Sequence, residues 1–231
     1  MPQLRRLAIT AEDPVKLAAF YQEVFELSQI GEAEGAVFLS DGTFNLALRP
    51  ETGGTATGLK ALGFDSARIE PIRMKLARTA NADQSVVERH ANTGFEYEMH
   101  DPDGNLIGLR TQAFDVSSRQ RSVPIRHIAL YTPHPQRLAD FYCHVLDMKE
   151  VERTDRSSIF VSDGYLNLAL LYQRKEEPIG LNHFGFHVKS NEEMQTRAEK
   201  AGVRRGGARP DRIPFAEYRV HDPEGNGIDI S

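Results

Sequence analysis

The feature that most constrains this 231-residue chain is a sequence pattern that occurs twice. VFLSDGTFNLALR, beginning at Val37, lies over IFVSDGYLNLALL, beginning at Ile159, with eight of thirteen positions identical. Three further pairs match: PVKLAAFYQEVFEL with PQRLADFYCHVLDM, LKALGF with LNHFGF, and MHDPDGNLIGL with VHDPEGNGIDI. All four pairs occur in one order with an offset of 121 or 122 residues. The chain is therefore a tandem duplication.

The duplication suggests how the chain divides into domains. A repeat of roughly 110 residues has the size of one ordinary domain, and its period is too long for a solenoid. The stretch from Thr111 to Pro124 is polar, has no regular pattern and ends in proline, which is typical of a linker. We predict two domains, residues 1–112 and residues 123–231.

Local patterns within the second repeat predict an α+β fold. Apolar residues at three- and four-residue spacing predict a helix from Pro135 to Leu146. Ile159–Ser162 and Leu166–Leu171 flank an Asp-Gly pair, which predicts a hairpin, and Phe184 to Val188 is predicted to be a strand. Together with the remaining elements, these patterns predict the order βαβββ twice in each repeat, with sheets that curve around a site.

Composition excludes several classes of protein. The 28 basic and 33 acidic residues give a net charge of −5, which argues against a nucleic-acid partner. No apolar run approaches the roughly 20 residues that span a membrane, and MPQLRRLAIT lacks the apolar stretch of a secretory signal. The single cysteine, Cys143, fits a reducing cytosol. We expect a cytoplasmic protein with a small-molecule substrate, and we leave open a homo-oligomer.

Three residues of the second repeat form a candidate metal site. His127, His183 and Asp229 each lie in an otherwise hydrophobic or small-residue strand. Buried imidazoles and carboxylates need partners, and two histidines with one carboxylate are a known ligand set for Fe(II), Mn(II) and other divalent metals. The alternative is that both histidines are hydrogen-bonded core residues and that the aspartate lies at the edge of the last strand.

The first repeat serves as an internal control for this site. The three candidate ligands fall over Arg6, Ala61 and Gly108, although the sequence motifs around them are retained. Residues that the fold itself required would not all differ together. The comparison favours a metal site in the second repeat and a first repeat that is a degenerate copy without metal ligands.

Four segments of the second repeat resemble the vicinal oxygen chelate superfamily, which includes glyoxalases, bleomycin-resistance proteins and extradiol dioxygenases. They are RHIAL, LADFYCHVLDM, LNHFGF and DPEGNGIDI. The resemblance covers nearly the whole chain. It implies two tandem vicinal-oxygen-chelate domains, each made of paired βαβββ modules that form an incomplete barrel around a divalent metal. It also implies that His127, His183 and Asp229 are the ligands, with aspartate where the family usually has glutamate.

A triad confined to the second repeat resembles the layout of type I extradiol dioxygenases, which implies Fe(II) and a small aromatic, catechol-like substrate. Mn(II) and Zn(II) are alternatives. NLALLYQRKEEPIG lacks the histidine that those enzymes place before the second ligand, and Arg219 stands where they have tyrosine. Two alternatives therefore stay open: a glyoxalase-type lyase, isomerase or hydrolase that does not use oxygen, and a small-molecule binding protein of the bleomycin-resistance type.

Strand alternation gives two candidate catalytic residues. Arg219 is predicted to face the cavity, where it would bind a carboxylate or phosphonate of the substrate. His187 is predicted to share the face of His183 and to act as a proton shuttle. The alternatives are that Arg219 faces solvent and that His187 is an ordinary polar residue.

Overall fold

The first repeat consists of two successive units, each with one strand, one helix and three further strands. In the computed structural model the described residues are 1–79, 85–88, 95–112, 123–174, 177–210 and 216–231. The elements of the first repeat are β1 (Gln3–Ala11), α1 (Pro14–Phe25), β2 (Ser28–Ala33), β3 (Ala36–Ser40), β4 (Asn45–Pro50), β5 (Gly58–Asp65), α2 (Glu70–Leu76), β6 (Val87–Glu88), β7 (Tyr97–His100) and β8 (Leu106–Arg110).

The second repeat has the same order of elements. They are β9 (Ile125–Thr132), α3 (Pro135–Leu146), β10 (Lys149–Arg153), β11 (Ile159–Ser162), β12 (Asn167–Tyr172), β13 (Gly180–Phe186), α4 (Asn191–Lys200), β14 (Gly207–Ala208), β15 (Tyr218–His221) and β16 (Gly227–Ile230). The predicted helix over Pro135 to Leu146 is confirmed at both ends, and the predicted hairpin corresponds to β11 and β12.

Each repeat forms one eight-stranded sheet from its described strands. The strand orders are β2-β3-β4-β1-β5-β8-β7-β6 and β10-β11-β12-β9-β13-β16-β15-β14. Each order ends in edge strands, so neither sheet closes on itself. The α+β fold of two tandem vicinal-oxygen-chelate-like modules, each of paired βαβββ units, is thereby confirmed.

The order of the second sheet determines where the candidate site lies. β9, β13 and β16 are consecutive neighbours. β13 runs parallel to β16 with His183 opposite Gly227, and β15 runs antiparallel to β16 with Arg219 opposite Asp229. Because side chains alternate between the two faces of a strand, this register places the candidate ligands on one face of the sheet.

The first helices of the two repeats begin and end alike. α1 and α3 each begin at a proline, which fits the first turn because an N–H there has no partner within the helix. The residues that follow them, Glu26 and Asp147, have left-handed φ angles of 58° and 59°. The predicted apolar face of α3, which includes Phe141, is buried. Each helix therefore packs one apolar face into the protein.

Two buried tyrosine–aspartate hydrogen bonds link the repeats reciprocally. The hydroxyl of Tyr21 on α1 donates to Asp222 Oδ2 at 2.6 Å, in the turn before β16. The hydroxyl of Tyr142 on α3 donates to Asp101 Oδ2 at 3.0 Å, in the corresponding turn of the first repeat. Burial, together with the neighbouring carboxylate, raises the pKa of both tyrosines well above 10. Each repeat thus supplies the partner of a buried carboxylate in the other.

The predicted strand over Phe184 to Val188 is wrong in its bounds, because β13 spans Gly180–Phe186. The neighbouring strand β9 begins at Ile125, and the other neighbour, β16, ends at Ile230. The hydrogen-bonded ladders of β13 therefore do not extend beyond Phe186. The backbone N–H groups of His187 and Val188 instead bond to carbonyls just outside those strands, those of Pro124 and Ser231.

The chain also separates into two compact units. One comprises Met1–Arg6, Ala61–Asp115 and Ile128–Leu181, and the other comprises Leu7–Lys60, Val116–His127 and Asn182–Ser231. The domains predicted at residues 1–112 and 123–231 stay a prediction, and most of the predicted linker lies outside the described residues. None of the helices in the described part of the chain has the length and apolar character that crossing a bilayer requires.

Candidate metal centre

Three neighbouring strands bring the predicted ligands together. His127 lies on β9, His183 on β13 and Asp229 on β16, and all three residues belong to the second compact unit. Their exposed fractions are 4%, 3% and 1%. His127 Nε2 lies 3.3 Å from His183 Nε2, which in turn lies 3.2 Å from Asp229 Oδ2. The side chains form a group in which each residue offers one ligand atom and all these atoms lie within 4.8 Å of one another.

The geometry and chemistry of this triad fit a divalent ion. Two imidazole nitrogens 3.3 Å apart, each at about 2.1 Å from one ion, would subtend an angle of about 100° at it. That angle lies between octahedral and tetrahedral values. Two imidazoles and one carboxylate are also the donor set of the facial triad that Fe(II) uses, and imidazole suits Zn as well.

The protonation states of the triad favour a cation. Burial, together with the nearby His183, lowers the pKa of His127 to about 3. Burial also lowers the pKa of His183. Burial alone would raise the pKa of Asp229, but the nearby His183 and the ion pair with Arg219 outweigh it and hold the pKa well below its ordinary value. Near neutral pH the site presents neutral imidazoles and a carboxylate, the forms that bind metals.

Arg219 forms a two-pronged ion pair with the aspartate of the triad. Its Nε donates to Asp229 Oδ1 at 2.6 Å and its Nη2 donates to Oδ2 at 2.8 Å. The carboxylate side chain is fully buried and the arginine side chain is 16% exposed. Two of the donors of Arg219, which was predicted to face the cavity, are therefore engaged by the protein itself. A role in binding substrate stays a prediction.

His187 lies apart from the triad. It follows the last residue of β13, and its side chain is exposed. It lies four positions after His183, which corresponds to about 13 Å along an extended chain. The structure therefore does not bring His187 into the cluster, and its role as a proton shuttle stays a prediction without structural support.

Sequence reasoning missed Asn182. Its side-chain Oδ1 lies 2.8 Å from Nδ1 of His183, the ring nitrogen that does not face the rest of the triad. Strand alternation had predicted that adjacent side chains point to opposite faces. The available signal was the comparison of repeats, because the pair Asn182–His183 falls over Lys60–Ala61.

In the first sheet, the position that corresponds to Asp229 is filled by an aromatic ring. A β-carbon added at Gly108 would overlap the ring of Phe95, and one added at Gly63 would lie 2.9 Å from Phe95 Cε1. The repeat alignment places Ala216, which is buried, over Phe95. In the first repeat the large ring of Phe95 stands beside a glycine, Gly108. In the second repeat a small side chain, that of Ala216, leaves room for the carboxylate of Asp229.

The comparisons with known proteins agree with this fold. Residues 125–230 match the sequence model of the Glyoxalase/Bleomycin resistance protein/Dioxygenase superfamily. We found no match among curated protein sequences. The second repeat of this chain therefore belongs to that superfamily.

Solved structures resemble the whole chain. The Mn(II)-bound glyoxalase from Novosphingobium aromaticivorans has a TM-score of 0.74 at 19% identity, over 99% of this chain and 81% of that one. The 2,3-dioxygenase LapB from Pseudomonas sp. KL28 has a TM-score of 0.73 at 17% identity, over 99% and 91%. An extradiol ring-cleaving dioxygenase from B. fuscum has a TM-score of 0.70 at 19% identity, over 99% and 72%. At these identities the likeness concerns the fold.

The superfamily and the triad together support a divalent metal as the cofactor and a metal-dependent enzyme of the vicinal oxygen chelate type.

Proposed function

We propose that this protein is an extradiol-type dioxygenase that acts on a small aromatic, catechol-like molecule. The observation that carries the proposal is the His127–His183–Asp229 triad, held on one face of a single sheet with its ligand atoms within 4.8 Å of one another. A triad of two histidines and one carboxylate leaves positions on a metal open for other ligands. The fold shared with the two dioxygenases named above supports the same reaction class.

His127, His183 and Asp229 would hold the ion, with Fe(II) favoured and Mn(II) or Zn(II) as alternatives. When bound, the ion supplies a centre that chelates two neighbouring oxygens of the substrate and stabilises the negative charge that develops on them. The chain's own contribution is to keep both imidazoles neutral by burial and the carboxylate ionised. It also excludes water from the ligand side chains, all of which are buried.

Arg219 would act on the substrate side of the same site. A guanidinium carries five N–H donors, and the ion pair with Asp229 uses two of them. Arg219 also lines a cavity of about 530 Å³, together with Arg204 and His221, but none of the three candidate ligands is among the residues that line it. The remaining donors of Arg219 suit an anionic group, such as the carboxylate of a substituted catechol.

A glyoxalase-type reaction without oxygen is the second candidate. The observation that favours it is the lack of a histidine in β12, since the extradiol layout places an acid–base histidine in the stretch before the second ligand. The likeness to the Mn(II)-bound glyoxalase supports it as well. A binding protein without catalysis is the third candidate, and the triad opposes it.

Metal loading and oxygen consumption distinguish the candidates. The protein is purified without oxygen and loaded separately with Fe(II), Mn(II) and Zn(II), and oxygen uptake is then measured with catechols that do and do not carry a carboxylate. The expected result is oxygen uptake that depends on Fe(II) or Mn(II) and disappears in His183→Ala. Turnover of a hemithioacetal with no oxygen uptake would replace the first candidate by the second. Absence of any bound metal would leave only the binding protein.

A further inference from the structure

We infer that Asn182 is a positioning residue that keeps the proton of His183 on Nδ1 and so leaves Nε2 free to bind the metal. The inference rests on the proposed metal site. Its basis is the 2.8 Å contact between Asn182 Oδ1 and His183 Nδ1. The carboxamide oxygen only accepts hydrogen bonds, so the ring nitrogen must donate.

Acceptors on both sides of the ring compete for the single proton of the neutral imidazole, and His127 Nε2, 3.3 Å from His183 Nε2, is one of them. Asn182 Oδ1 faces Nδ1, and Asp229 Oδ2 faces Nε2 at 3.2 Å. A proton on Nε2 would occupy the lone pair with which His183 binds an ion. A metal-ligating histidine commonly donates its other N–H to a nearby acceptor, which fixes both the tautomer and the orientation of the ring.

Arg219 makes Asp229 a weaker acceptor and so favours the hydrogen bond from His183 to Asn182. It donates to both oxygens of Asp229, and its bond to Oδ2 at 2.8 Å uses the same oxygen that faces His183. An oxygen that already accepts a charge-assisted hydrogen bond is a weaker acceptor for the imidazole. Asn182 and Arg219 therefore act on opposite ends of His183 in the same sense: one attracts the proton to Nδ1 and the other makes Nε2 a less favourable place for it.

The first repeat lacks this arrangement as a whole. Lys60 stands at the position of Asn182, and Ala61 stands at that of His183. The lysine side chain has no acceptor, and the alanine has no ring to orient. The acceptor and the imidazole are thus present together in one sheet and absent together in the other, which is expected if the acceptor serves the imidazole.

The first experiment compares metal affinities of the full-length protein. Asn182→Ala removes the acceptor, Asn182→Asp keeps one, and Lys60→Ala is the matched control at the corresponding position of the first sheet. Dissociation constants for Mn(II) and Zn(II) are measured by calorimetric titration. We expect a loss of about 10- to 100-fold in Asn182→Ala, and for Asn182→Asp and Lys60→Ala a value within about threefold of wild type or tighter. A twofold or smaller effect of Asn182→Ala, or failure of aspartate to restore affinity, would overturn the inference.

The second experiment reads the proton directly and needs no metal. Long-range ¹H–¹⁵N spectra of the metal-free wild type distinguish an Nδ1–H imidazole from an Nε2–H imidazole, with His183→Gln used to assign the signals. We expect His183 in the Nδ1–H form in wild type and in the Nε2–H form in Asn182→Ala. An Nε2–H ring in wild type refutes the role of Asn182. If wild type binds no metal, the proposed function fails while this measurement still decides the role of Asn182.

Discussion

Replacing Arg219 by methionine tests whether the charge on Asp229 needs a partner cation. The arginine forms two hydrogen bonds, at 2.6 and 2.8 Å, to a carboxylate that is fully buried. Removing one partner of a buried ion pair costs about 3–5 kcal/mol, because it leaves a buried charge without compensation. Since the arginine side chain is 16% exposed, we take the lower end, about 3 kcal/mol. For a chain of this size that corresponds to a fall in melting temperature of about 6–12 °C.

The loss of stability in Arg219→Met should be smaller when a metal ion is bound. An ion held by the triad supplies positive charge to the same carboxylate, so the metal-loaded variant should lose less than half as much as the metal-free variant. Scanning calorimetry with a chelator and with saturating Mn(II) measures both values. Arg197→Met is the matched control: Arg197 pairs with Glu26 and Glu193 on the surface, and such pairs contribute about 0–1 kcal/mol. Equal losses with and without metal, or a loss no larger than that of the control, would refute the reasoning.

Three further predictions follow from the site and from the buried tyrosines. Ala216→Phe should reduce the metal content to background, because the ring would occupy the space of Asp229; a full complement of metal by elemental analysis would contradict this. His183→Ala should abolish metal binding, whereas His187→Ala should retain about one ion per chain in the same analysis, and equal losses would show that the triad is misassigned. Burial and its carboxylate partner raise the pKa of Tyr142, so stability from this group is present below pH 10 and is lost as the pH rises further. Urea unfolding between pH 8 and 11 should show a shallower decline in Tyr142→Phe, and an unchanged slope would refute the assignment.

The sequence predicted those features that depend on local pattern and on comparison of the two repeats. The helix α3 was predicted residue by residue, because its apolar spacing and its initial proline are local signals. His127, His183 and Asp229 were predicted as ligands because each interrupts a hydrophobic or small-residue strand, and their joint replacement in the first repeat strengthened that prediction. These features require no knowledge of how the strands pair.

Other features depend on partners distant in sequence, and the sequence pattern does not contain them. The end of β13 is determined by where β9 and β16 stop, so His187 was predicted to lie in the strand although it follows it. The ion pair between Arg219 and Asp229 depends on the register of β15 against β16. The contact of Asn182 with His183 depends on the rotation of two adjacent side chains, which strand alternation does not describe.

The reciprocal tyrosine–aspartate hydrogen bonds limit how far this protein can be shortened. All three candidate ligands lie in the second repeat, so residues 123–231 alone contain every residue proposed to bind the metal. Expressed by itself, that fragment would leave Asp222 without the hydroxyl of Tyr21 and Tyr142 without the carboxylate of Asp101. Asp222 would keep its hydrogen bonds from Asn226. A hydrogen bond to a charged group contributes about 1.5–3 kcal/mol, so the loss of both bonds is a large part of the net stability of a domain. We therefore expect the repeat without ligands to stabilise the other one, so that a minimal version of this protein has to retain both.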